Sequence, residues 1–83
     1  MNVQVRYFAA ARAAAGTAQE TITLTGRVTI ADVLRAVCDA HGAPLGTVLD
    51  RCSYLLDEVA IHGTTTPVAD GATLDVLPPF AGG

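Results

Sequence analysis

An 83-residue chain with 51% hydrophobic and 16% charged residues has the balance of a compact domain, not a disordered segment, and room for a single core. Folding at this size hides only about 60% of the surface the unfolded chain exposes, which leaves a thin margin of stability. The formal charge is −3, and the five basic residues are all arginines that form no run or stripe of the kind that tracks a phosphate backbone, so nucleic acid is not expected as a partner; lysine is absent, and with it any side-chain amine for an isopeptide bond.

Residues 3–8 alternate, with Val3, Val5 and Tyr7 on one side and Gln4, Arg6 and Phe8 on the other, the pattern of a half-buried strand. The alanine-rich run 9–15, ending at Gly16, predicts a short helix. Alternation resumes over residues 20–24, with Ile22 and Leu24 inward and Thr21 and Thr23 outward. Thr29 then stands as the N-cap of the main helix, and Asp32 completes a capping-box-like pair near the positive end of the helix dipole. Ile30, Val33, Leu34, Val37, Cys38 and His41 fall on one helical stripe, which Gly42 ends, and Pro44 is expected to prevent immediate resumption. A shorter helix is predicted over residues 45–51, with Leu45, Val48 and Leu49 inward. Val59 and Ile61 alternate with Ala60 and His62 toward a turn-like Gly63, and Pro67 and the Asp70-Gly71 pair punctuate the next stretch. Leu74 and Val76 give a last inward face before Pro78-Pro79, neither of which donates a ladder hydrogen bond.

One apolar helix stripe and one apolar sheet face bury each other in a two-layer α+β domain, a mixed sheet with one main helix packed across it. Strand, strand, helix, then shorter strands fits the ubiquitin-like β-grasp. Residues 1–77 are assigned to that domain and residues 78–83 to a flexible tail. The tail reads Pro78-Pro79-Phe80-Ala81-Gly82-Gly83 and reaches on the order of 20 Å when extended. Its prolines stiffen the start and its glycines keep the end slim, a form suited to threading into a narrow channel. Only glycine brings a backbone carboxylate to a nucleotide phosphate without a Cβ in the way.

Three stretches together resemble the small subunit of molybdopterin synthase, within the ubiquitin-like sulfur carriers. The first is Arg6-Tyr7-Phe8-Ala9-Ala10-Ala11-Arg12 through Gly16. The second is the helix start from Thr29 to Leu34. The third runs from Asp70-Gly71 through the last strand to the Pro-Pro-x-x-Gly-Gly end at Gly83. The diproline discriminates most, because the related thiamine-pathway carriers usually lack it; His62-Gly63 stands where the family often has Asn-Gly. The resemblance implies that the Gly83 carboxylate is adenylated by an E1-like partner that uses ATP, then converted to a thiocarboxylate by a persulfide sulfur donor. It further implies that the tail enters the large subunit, in a heterotetramer of the family's kind, and gives its sulfur to a pterin precursor. No permanently bound cofactor and no catalytic side chain are implied for the small subunit itself.

Strand parity also places a docking surface. If Tyr7 and Val76 face the helix, Phe8 and Leu77 face outward on neighbouring strands, and Phe80 extends the patch along the tail. Other signals lead nowhere comparable. Cys38, His41, Cys52 and His62 lack the paired short spacings of a metal site, and neither cysteine has a basic neighbour in sequence to favour a thiolate. Asp57-Glu58 diverge on a strand or loop, so they make no catalytic pair. The longest apolar run, residues 7–11, is far shorter than the roughly 20 residues of a membrane span. Without a signal peptide or disulfide spacing, a cytoplasmic protein with reduced thiols is expected. Three alternatives stay open at this point: a carrier for cysteine or thiamine biosynthesis, a β-grasp protein-binding module with an inert tail, and attachment to target lysines as in ubiquitin.

Overall fold

The computed structural model describes residues 1–79. Strand β1 (Asn2–Tyr7) buries Val3, Val5 and Tyr7 and turns Gln4 and Arg6 the other way, as its alternation dictates. It pairs antiparallel with β2 (Gln19–Thr23) and parallel with β7 (Thr73–Leu77). Between β1 and β2 lies α1 (Ala9–Ala15), which starts from an extended Phe8 and closes at Gly16, whose φ of 76° a side chain would resist. Strands β4 (Ser53–Leu56) and β5 (Val59–Ile61) complete a mixed sheet of order β2-β1-β7-β4-β5, while β3 (Val28–Thr29) and β6 (Pro67–Val68) form a separate two-stranded ribbon. First and last strands side by side and parallel at the centre, with one main helix across one face, make this a ubiquitin-like β-grasp.

That helix, α2 (Ile30–His41), begins where the Asp32 carboxylate accepts hydrogen bonds from the Thr29 N–H at 2.9 Å and from its hydroxyl at 3.1 Å. Those two bonds hold the Asp32 carboxyl below its ordinary range, the backbone N–H contributing most. Ile30, Val33 and Val37 of α2 pack on Val3, Val5, Leu74 and Val76 of the sheet, and all seven are fully buried. Helix α3 (Ala43–Leu49) adds Leu45 and Leu49 to the same core.

Two features depart from the sequence reading. Helix α3 begins at Ala43, with Pro44 inside its first turn; the N–H that proline lacks has no helical partner there, so Pro44 starts the helix and does not delay it. Residues 53–56 form β4, which the sequence left unassigned, and Asp57-Glu58 make the tight turn into β5, both at positive φ, 47° and 70°. No helix among the described residues is long and apolar enough to cross a membrane.

Candidate functional site

Helix α2 covers one face of the sheet and leaves the other bare. Strand parity and register put Gln4, Arg6 and Phe8 on the bare face beside Thr73, Asp75 and Leu77, with Leu55 and Ala60 beyond them. The last β1–β7 pair is Tyr7 with Val76, so Phe8 and Leu77 emerge side by side one step further on. Phe8 is 40% exposed, a large apolar ring in solvent, and Leu77 is half-buried. Phe8 and Leu77, two of the three residues of the surface expected from sequence, therefore stand together at one corner of the sheet, and the third, Phe80, lies outside the described residues.

Arg6 stabilises that corner from below. Its Nε and Nη2 donate to the two Asp75 oxygens at 2.5 and 2.7 Å, a bidentate pair across the central strands. The guanidinium carbon also lies 6.0 Å from the centroid of the Phe8 ring, within cation–π range. Asp75 is only 5% exposed, and its hydrogen bond and charge raise the Arg6 pKa further. The pair was legible in principle, since Arg6 and Asp75 have outward parity on strands that the β-grasp makes adjacent.

β7 runs on into Pro78, half-buried, and Pro79, exposed. Behind them Ala10, Thr47, Val48 and Arg51 line a cleft of about 340 Å³ that Pro78 and Pro79 close on one side. Phe80, Ala81, Gly82 and Gly83, the rest of the expected tail and its reactive end, lie outside the described residues.

On the covered face, the Tyr7 hydroxyl donates to Glu20 Oε2 at 2.6 Å, and His41 Nε2 bonds the same oxygen. The His41 ring meets Tyr7 edge-on, with centroids 6.0 Å apart. Burial, then Glu20, pushes the Tyr7 phenol well above its usual range. Sequence reasoning placed His41 on the helix stripe but missed Glu20 as its partner. The signal was there: Glu20 shares parity with Ile22, and an inward carboxylate needs a partner. This trio ties β1, β2 and the end of α2 together.

The two cysteines are free, and burial raises both thiols. Cys52 donates to the Val48 carbonyl at 3.2 Å, so neither is set up as a thiolate nucleophile. No three His, Cys, Asp or Glu residues gather to hold a metal among the described residues.

Comparison with known proteins agrees with this geometry. The family model described as the ThiS family matches residues 5–83. The chain is 30% identical to the molybdopterin synthase sulfur carrier subunit of Chlamydomonas reinhardtii over 84 residues, with both chains covered in full. It superposes on SAMP1 from Haloferax volcanii with a TM-score of 0.88 at 26% identity, again over all of both chains. A third similarity, at TM-score 0.72 and 26% identity with full coverage of both, is to the protein–protein complex of subunits 1 and 2 of the molybdopterin-converting factor from Helicobacter pylori. The match over nearly the whole length, on a β-grasp body, shows that this chain belongs to the ThiS family of ubiquitin-like sulfur carriers.

Proposed function

We propose that the chain carries sulfur as a thiocarboxylate on Gly83 and delivers it to a pterin precursor in molybdopterin synthesis, as the small subunit of a two-protein synthase. The observation that carries this reading is the sequence Pro78-Pro79-x-x-Gly82-Gly83, whose two prolines follow β7 beside the apolar corner made by Phe8 and Leu77. A large-subunit partner is supported by the Helicobacter pylori likeness, in which subunit 1 is bound to subunit 2.

A carboxylate is a poor acyl donor because its oxygen is a poor leaving group. An ATP-dependent partner converts the Gly83 carboxylate to an acyl adenylate and releases pyrophosphate. The terminal sulfur of a persulfide donor attacks that carbonyl and AMP leaves. A thiol then cleaves the sulfur–sulfur bond, and the thiocarboxylate remains on Gly83. ATP thus belongs to the partner, and the carrier contributes the terminus and the surface that presents it. This chemistry suits the cytoplasm, where thiols stay reduced.

The test is intact-mass analysis after incubation with the adenylating enzyme, ATP and a sulfide source. Wild type should exchange one oxygen for sulfur, and a variant carrying one extra residue after Gly83 should stay unchanged. A wild-type chain that never gains sulfur rejects the reading. Sulfur gain with delivery to a thiamine or cysteine precursor, and none to the pterin, would keep the carrier and reject the pathway.

A further inference from the structure

The root of the tail is open on two sides. One is the corner of Phe8 and Leu77; the other is the cleft between α1 and α3, walled by Ala10, Thr47, Val48, Arg51, Pro78 and Pro79. The cleft is mostly apolar. The Thr47 hydroxyl donates to the Ala43 carbonyl at 3.1 Å, and Arg51 makes no ion pair among the described residues.

Chain length limits how far from this cleft a partner acting on Gly83 can stand. Four residues follow Pro79 up to Gly83, so the Gly83 carboxylate lies at most about 14 Å from Pro79 whatever path it takes. A protein that acts on that carboxylate must bring its reactive centre within this distance. That distance brings the partner's surface close to Pro79, which is itself a wall of the cleft. A rim that closes on Pro79 from the α1–α3 side also covers Ala10, Val48 and Arg51, which line the same cleft.

We propose that the α1–α3 cleft is the second jaw of a clasp, seated by the rim of the adenylating partner's tail channel with an apolar side chain against Ala10 and Val48 and a carboxylate against Arg51. The proposal rests on the carrier reading above. A guanidinium without an ion pair among the described residues needs an anion once a partner covers it, and the planar fork of arginine fits a carboxylate through two parallel bonds.

The experiment measures AMP formation by the adenylating enzyme as a function of carrier concentration. Arg51→Glu should raise the KM for the carrier about tenfold with kcat unchanged, and raising the salt should shrink the difference. Thr47→Trp, at an exposed position, fills the cleft without a charge change and should also raise KM, with no relief from salt. Arg27→Glu makes the same charge change on the loop before β3 and should leave KM near wild type, which separates a local contact from net charge. Thermal unfolding confirms that each variant is folded. Equal KM values for Arg51→Glu and Arg27→Glu overturn the clasp while normal wild-type turnover keeps the carrier reading. A wild type that forms no AMP overturns both.

Discussion

The carboxylate of Asp32 accepts both the N–H and the hydroxyl of Thr29, and protonation weakens both bonds. Because its pKa is lowered by folding, the stability it contributes is present above the unfolded aspartate value of about 3.9 and fades as pH falls through the native value. Asp32→Asn should therefore lower the urea midpoint at neutral pH, and the gap to wild type should narrow at acid pH. A gap that stays constant with pH would contradict the assignment. This cap was readable from the Thr29-x-x-Asp32 spacing because capping is local. The Glu20–His41–Tyr7 cluster was only half readable: parity turned Glu20 inward, but its partners lie on two other elements whose meeting depends on the fold. Phe8 and Leu77 fall between these cases: parity gave their side of each strand, and the β1–β7 register made them neighbours.

The long stripe of α2 and the alternation of β1 and β7 carried enough repeats to be recognised. Strand β4 did not, because Tyr54-Leu55-Leu56 is apolar on both faces and hides its alternation. The β3–β6 ribbon has two residues per strand, too few for any period. The turn after β4 was hidden for a different reason. Asp57 and Glu58 both sit at positive φ, where a two-residue hairpin ordinarily calls for Asn-Gly or Asp-Gly. Asp57 compensates by accepting the Thr73 N–H and donating its own N–H to the Thr73 carbonyl, each at 2.8 Å. Glu58 makes no such bond among the described residues, and only its charge, which favours the Arg6 cation, stands against its strained backbone. Glu58→Gly should stabilise the protein by about 1 kcal/mol, read as a higher urea midpoint with an unchanged slope. A lower midpoint would show that the glutamate side chain matters more than its backbone.

As a whole, the molecule spends one face of its sheet on the core, and the other carries the exposed Phe8 beside Leu77. Phe8→Ser and Leu77→Ser remove apolar surface that the core does not use, so both should leave thermal unfolding close to wild type. Each should weaken binding of the large subunit by roughly tenfold in a calorimetric titration, the usual scale for an interface anchor. Unchanged affinity would remove this corner from the interface. The body and the corner could be anticipated from the chain; the cleft behind the diproline could not, because α1 and α3 are brought to it only by packing.

The Arg6–Asp75 pair has a mechanical consequence. Sliding β7 by one residue would drive Asp75 into the core and expel Leu74 and Val76, and sliding it by two would keep parity but break both bonds to Arg6. The strand is thus pinned, and the point at which the chain leaves the sheet after Leu77 does not shift. On the carrier reading proposed above, a partner that grips the chain beyond Pro79 would always meet its root at the same place.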